Sequence, residues 1–244
     1  MFSYIYHTFV FNPLYNGLIY LMDLLPFIDA GIAVILFTII IRIILFPLSK
    51  KAIVTQVRMK EIEPELNRLK LKVSDKQEQA RQVMALYKEK KVNPFSSFLV
   101  LLIQLPIIYA LYSIFISAGL PEVQTALLYP FVKVPEINMS FLGLFDISQK
   151  SIILSLIAAA AQFFQLHFSL AGASVVKKPG EPMSQMDMAQ SMMKNMKYVF
   201  PVIVFIISYQ ISAVVALYWA VSSLFTLGQE LVVRRQLKKH QPID

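Results

Sequence analysis

In the stretch FTIIIRIILFPLSKK, residues 37 to 51, Arg42 stands among isoleucines. Lys50 and Lys51 mark a polar boundary eight residues later, roughly 12 Å along a helix. A guanidinium at such depth in an apolar medium costs from about 2.5 to above 10 kcal/mol. It either snorkels toward the boundary or faces a wet cavity. Polar residues on other apolar segments supply faces to line one. Thr38 lies one turn from Arg42, and Gln104 is the lone strongly polar residue within the second segment. At 100° per residue, Ser151, Ser155, Gln162, Gln165 and Ser169 fall within about an 80° arc of the third. In the last, Ser212, Trp219, Ser222, Thr226 and Gln229 share a side. Interhelical hydrogen bonding explains any one Ser or Gln. Several stripes together with an arginine favour a hydrated groove, with Arg42, Thr38, Gln104, Ser155, Gln162, Trp219 and Ser222 as its candidate site residues.

No Asp or Glu is expected deep in any apolar segment, so the charge of Arg42 is free to receive a visiting anion. The same expectation argues against a proton-coupled transporter, which usually needs titratable carboxylates. His7, His167 and His240 are far apart in the expected topology, and no HExxH, GxSxG or phosphate-binding glycine loop occurs. His167 reads as an interfacial residue near the inner end of the third segment. No catalytic residue, metal site or cofactor is therefore expected, and the chain reads as a non-enzyme.

The elements that must position these residues are set by hydropathy. The chain has 244 residues, 57% hydrophobic and 16% charged, with mean hydropathy +0.59. That is more apolar surface than a soluble domain of this size buries, and it marks an integral membrane protein. There is no cysteine, which excludes disulfides and lipid-modified thiols. The net charge of +8 matters here through its placement and needs no nucleic-acid partner.

Four apolar segments run roughly over Gly31 to Leu48, Phe95 to Ala118, Ser151 to Gly172 and Tyr198 to Val233. A continuous helix over the fourth would be about 54 Å long against a hydrocarbon core of about 30 Å. The polar interruption SYQIS, Ser208 to Ser212, allows a turn. No Lys or Arg precedes Arg42; the chain between Lys50 and Lys91 is crowded with them; the 119–150 connector holds only Lys133 and Lys150. Lys177, Lys178, Lys194 and Lys197 follow, then Arg234, Arg235, Lys238 and Lys239. By the positive-inside rule both ends of the fourth segment lie inside, so it crosses twice, and local bilayer thinning is expected at these two short spans. The expectation is an all-α polytopic protein with five transmembrane helices, N-terminus outside and C-terminus inside.

The division that follows is an outer interfacial helix (1–29), a first span (30–49), a helical hairpin inside (50–92), a second span (94–118), an outer connector (119–149), a third span (150–172), a methionine-rich connector inside (173–197), the fourth (198–210) and fifth (212–234) spans, and a short basic tail (235–244). The N-terminal segment lacks the basic region of a signal peptide and is interrupted by Asn12-Pro13; its Tyr and Phe residues suit an interface. In the hairpin, Ser74 and Gln77 form a capping box, Val73-Ser74 the turn, and Pro64 kinks the first arm. Asn93-Pro94 starts the second span. Met183, Met186, Met188, Met192, Met193 and Met196 form a soft surface, either for apolar partners or for resting on the membrane.

RIILFPLSKKAIVTQVRMKEIEPELNRLK, MALYKEKKVNPFSSFLVLLIQLPIIYALY, FPVIVFI and ALYWAVSSL resemble the YidC/Oxa/Alb membrane protein insertases, from about Gly31 to Arg235. The resemblance implies a five-helix core whose hydrophilic groove opens to the cytoplasm and to lipid and is closed outside, with an interfacial N-terminal helix and a mobile hairpin. It implies that Arg42 is the groove arginine, Thr38 its polar neighbour, Gln104 the polar position of the second span and Trp219 the aromatic of the last, near the path into lipid. The chain departs from the family in having Ile211-Ser212-Ala213 where a Pro-Ser-Gly turn is frequent, in lacking a large periplasmic domain and a lipobox cysteine, and in its short tail.

The implied function is a bacterial inner-membrane insertase and chaperone. It moves hydrophobic segments and short, often acidic, polar tails of nascent proteins from the cytoplasm into lipid without ATP. Nascent single- or double-spanning membrane proteins and the lipid bilayer are the implied partners, with ribosome, signal recognition particle and Sec translocon as further ones. A lipid scramblase, a small-molecule channel and an assembly factor without insertion activity are the rival readings.

Overall fold

The computed structural model describes residues 2–73, 75–93, 96–117, 120–169 and 185–239. Ten α-helices lie among them. The N-terminal run is α1 (Phe2–Tyr6), a π-helical turn (His7–Phe11) and α2 (Asn12–Leu24). Asn12-Pro13 does not end the helix. Pro13 has no N–H to give to the preceding turn, and the wider π turn sits directly ahead of it.

Helix α3 (Ala30–Ile44) starts at Asp29, whose carboxylate accepts from the Ile32 N–H at 2.8 Å and from the Leu142 N–H at 3.0 Å. One side chain thus caps the helix and ties the 120–150 connector to its start. The apolar run suggests continuity to Leu48, yet α3 ends at Leu45 and α4 (Phe46–Glu61) departs at 66°, with Pro47 in its first turn. The proline accounts for the break, since it cannot donate into the turn before it.

The first hairpin arm is divided in the same way. Ile62 separates α4 from α5 (Glu63–Lys72), and Pro64 falls in the first turn of α5. Helix α6 (Lys76–Glu89) packs back on α5 through Ile62, Leu66, Val83, Leu86, Tyr87 and Val92. Its observed cap is Asp75, which accepts from the N–H groups of Gln77 and Glu78 at 3.3 Å; Ser74 lies outside the described residues.

Helix α7 (Ser96–Tyr112) continues into a π turn (Ser113–Ser117) and carries Pro106 inside it. After the connector come α8 (Ile152–Ser169), α9 (Gln185–Ile211) and α10 (Ala213–Lys239). Ser208 stays helical, donating to the Val204 carbonyl at 2.7 Å, so the turn between α9 and α10 narrows to Ser212. Of the methionine-rich connector, Met183 lies outside the described residues, while Met186 to Met196 belong to α9.

The connector is largely irregular, with a 3-10 turn (Thr125–Leu127) and a short antiparallel hairpin, β1 (Ser140–Phe141) and β2 (Phe145–Asp146). The loop between them has three residues, Leu142 to Leu144, and its first two, Leu142 and Gly143, adopt positive φ. This connector closes one end of the bundle. The Ile147 and Gln149 carbonyls accept from the first N–H groups of α10, Val214 at 3.0 Å and Ala213 at 2.7 Å. Asn16 of α2 holds the Leu127 carbonyl and the Tyr129 N–H.

Helix α10 packs against α8, α9, α3, α4 and α7 and is the centre of the bundle. The main core gathers Tyr15, Leu18, Phe37, Leu111, Ile114, Phe141, Leu154 and the first residues of α10 at the connector end. Polarity is inverted relative to a soluble bundle. In α8, Ser155, Gln162 and Ser169 are buried while Ile152, Ile153, Leu156, Ile157 and Phe164 are exposed. In α10, Ser222, Ser223, Gln229 and Glu230 are buried while Leu224, Leu231 and Val232 face outward. Water would penalise that arrangement at about 25 cal/mol per Å² of apolar surface, so the surrounding medium is hydrocarbon.

By length and composition, α8 and residues Ala213–Leu237 of α10 are able to cross a membrane, and the bent α3–α4 pair makes a third candidate. Gln104–Phe115 and Asn195–Ile211 are shorter apolar helices.

Candidate functional site

Arg42 sits in the last turn of α3, partly buried, with Ile40, Ile43 and Ile44 exposed beside it. Its guanidinium donates to Gln104 Oε1 of α7 at 2.6 Å and to Ser222 Oγ of α10. Gln104 Nε2 lies 3.5 Å from the same serine oxygen. Three helices therefore meet at one cation through neutral acceptors. Tyr218, one turn before Ser222, is buried beside this group. Among the described residues, no carboxylate bridges Arg42.

The other candidates divide. Gln162 of α8 accepts from Trp219 Nε1 and from Ser223 Oγ, each at 3.0 Å, and donates to Gln165 Oε1 at 2.6 Å. Gln165 Nε2 continues to Ser169 Oγ at 3.4 Å. Trp219 and Gln162 thus belong to a polar ladder between α8 and α10, on another side of α10 from Arg42. Thr38 and Ser155 join neither group. Both are buried and donate back to their own helices, Thr38 to the Val34 carbonyl at 2.6 Å and Ser155 to the Ser151 carbonyl at 2.8 Å. The expected polar side of the last span is likewise shared out, because Trp219 and Ser222 sit about 60° apart and meet different neighbours.

Near the basic end of the fourth apolar segment, rather than deep within it, Glu230 is a carboxylate only 1% exposed. It accepts from Arg234 Nε at 2.9 Å and from the Ser169 hydroxyl. Pairing makes its burial tolerable. The spacing in ELVVRR held the available signal, since a glutamate four residues before an arginine is a favourable helical pair. Glu230 lies about 12 Å along the helix from Ser222.

Trp219 is the chain's only tryptophan, which gives the ladder its own reporter. Gln162→Leu removes the acceptor of two buried donors, each worth about 1–3 kcal/mol when left unsatisfied. The expected result is lower thermal stability in detergent together with a changed Trp219 emission maximum. An unchanged emission would mean that the Gln162 bond does not hold the indole.

Fold and site together define a helical membrane protein with a partly buried cation held by neutral groups and apolar side chains turned outward. The family model of the 60Kd inner membrane protein matches residues 22–240, and the chain belongs to that family. Among its relatives, a membrane protein insertase YidC of Fusobacterium nucleatum is 33% identical over 207 residues, 84% of this chain and 86% of that protein. One from Clostridium tetani is 30% identical over 88% of this chain and 86% of its own length. A Caulobacter vibrioides YidC is 28% identical over 97% of this chain but only 38% of its own length.

Proposed function

We propose that this protein is a membrane protein insertase of the inner membrane, working without bond chemistry. It has five spans in this reading, formed by α3, α7, α8, the second half of α9, and α10, with the N-terminus outside and the 50–92 hairpin inside. The observation that carries it is Arg42, a cation among apolar side chains that, among the described residues, bonds to Gln104 and Ser222. Neutral acceptors leave its charge uncompensated, so an acidic group entering beside them gains an attraction that no residue of the site already satisfies.

The packing supports a groove closed on the connector side and polar toward the hairpin side. The apolar core, Asp29, Asn16 and the connector carbonyls occupy one end, while Arg42, Gln104 and Ser222 lie beyond Phe37 and Trp219 toward α4. A short polar tail of a nascent protein enters from the hairpin side and exchanges part of its hydration for Arg42, Gln104 and Ser222. The apolar segment joined to it then moves sideways into lipid past exposed Ile40, Ile43, Ile44 and Leu105. Transfer at about 0.8 kcal/mol per buried CH₂ drives that step, and the membrane potential adds about 2.3 kcal/mol per charge per 100 mV for an acidic tail moving outward. Trp219 and Gln162 keep α8 and α10 in register behind the groove, and Thr38 and Ser155 serve helix packing.

The test uses proteoliposomes holding only this protein, supplied with a single-span substrate bearing a short acidic N-terminal tail during cell-free synthesis. Protease protection of the tail above that in empty liposomes is the expected result. Protection equal to empty liposomes would reject the insertase reading and favour an assembly factor that needs partners.

A further inference from the structure

Outside the Arg42 group, the inner ends of three helices converge on one buried carboxylate. Glu230 of α10 accepts from Arg234 and from the Ser169 hydroxyl of α8. Arg234 also donates to the Phe168 carbonyl at 3.4 Å and lies over the Phe168 ring at 5.0 Å. Helix α4, the base of the hairpin, is docked on the same spot. Gln56 Nε2 donates to the Ser169 carbonyl at 3.3 Å, and Gln229 Nε2 of α10 reaches Ser49 Oγ at 2.6 Å and the Phe46 carbonyl at 3.3 Å.

The last turn of α4 brings in Lys60. Its Nζ is shut off from water and has no hydrogen-bond partner among the described residues. The charged groups around it are Arg234 and Glu230 of α10 and Glu63 of α5. Helix α8 contributes the Ser169 hydroxyl and carbonyl, while its His167 is exposed and stacked on Phe163. The amine therefore opposes the docking that the surrounding hydrogen bonds favour.

We propose that Glu230 is a positioning residue that latches α4 to the inner ends of α8 and α10, and that Lys60 is a built-in opposing charge that keeps this latch releasable. Docking hides a cation without a bonding partner beside a second cation, and Glu230 makes that arrangement possible by neutralising Arg234. Release of α4 restores water to Lys60 at the loss of a few neutral hydrogen bonds and of the burial of Ala52 and Ile53. The base of the hairpin is in this way balanced between two positions.

The balance depends on pH with a definite sign. Burial first, and Arg234 second, pull Lys60 from 10.5 down to about 8, while Glu230 and Glu63 act in the opposite direction. In the released state the amine sits in water and keeps its ordinary value. The docked state therefore binds the proton less tightly. Docking is weakest below about pH 8, where Lys60 is charged in both states, and strengthens as pH rises from there toward 10.5.

The chain has no cysteine, so paired spin labels at Thr55→Cys on α4 and Val232→Cys on α10 report the latch without background. In nanodiscs, the ratio of the short to the long separation should rise at least about threefold between pH 7 and pH 9.5. Lys60→Met should hold the short separation at both values. Glu230→Gln should shift the population to the long separation at both, and Glu230→Asp should recover part of the loss. A wild-type distribution unchanged between pH 7 and 9.5 would overturn the proposal, as would Lys60→Met and Glu230→Gln moving it in the same direction. If Glu230→Gln does not accumulate, Lys60→Met decides alone, because Lys60 has no hydrogen-bond partner among the described residues to leave unsatisfied. The distances report on docking whether or not the protein inserts substrates, so failure here and failure of the insertase reading are separate results.

Discussion

Arg42→Ala should reduce protected tail about ten- to hundredfold for a substrate with an acidic N-terminal tail, while Arg42→Lys retains most of it. The magnitude follows from the bond at stake. A hydrogen bond between ions contributes about 1.5–3 kcal/mol, or about ten- to a hundredfold in occupancy. Lysine supplies the charge as a point donor without the planar fork, so capture survives with looser geometry. In the resting protein the guanidinium joins α7 to α10 through Gln104 and Ser222. Alanine removes both contacts along with the charge, and Gln104→Leu, which removes only a contact, separates the two effects. Equal protection in wild type, Lys and Ala would leave hydration and thinning as the working principle, with Arg42 serving only the cavity's upkeep. A substrate with an uncharged tail should respond least to any of these changes.

Gly31→Ala should destabilise the protein by about 1–3 kcal/mol, the usual range for forcing extra volume into a packed site. A Cβ built on Gly31 meets Phe141 at 2.3 Å from Cδ2, 2.6 Å from Cγ and 2.8 Å from Cβ. The last of these is the root of the side chain, so rotation of the ring alone does not relieve the clash. Phe141 is buried and lies in β1, whose neighbours are tied to α3 by Asp29 and by the Ala30 N–H bond to the Asn138 carbonyl. The substitution therefore pushes the connector off the end of the bundle that it closes. Thermal unfolding in detergent measures the loss. The pair Gly31→Ala with Phe141→Ala should be less destabilised than the sum of the single changes; strict additivity would show that the two sites do not touch.

The three residues that meet at the proposed groove could be picked out before any coordinates, for a specific reason. Arg42, Gln104 and Ser222 are polar residues in segments where hydrocarbon makes polarity costly, so each stands out singly. That signal does not say what a polar residue bonds to. Thr38 and Ser155 carry it as strongly, yet their hydroxyls reach the carbonyl one turn back, a partner every helical Ser or Thr has within reach. Glu230 failed to stand out because it lies near the basic end of its segment, where a carboxylate looks like boundary chemistry. Its burial comes from α8 and α4 folding over it.

By itself the sequence determined most of the helices and their polar stripes, and the break at Pro64. It did not separate Pro47, where a helix bends, from Pro13 and Pro106, which helices carry without ending. Hydrophobic periodicity, capping side chains and missing proline N–H groups act over three or four residues, so they are written locally. Only the tertiary structure decided which stripe meets which. Arg42 finds Gln104 across 62 residues and Ser222 across 180, while Trp219, only 60° around α10 from Ser222, turns to Gln162 instead. The same holds for the connector carbonyls at the start of α10 and for the place where α4, bent 66° from α3, meets α8 and α10. Such pairings depend on the rotation and height of one helix against another. A shift of one residue along α10 would turn it by about 100° and exchange its neighbours, and only packing of the whole bundle selects one arrangement.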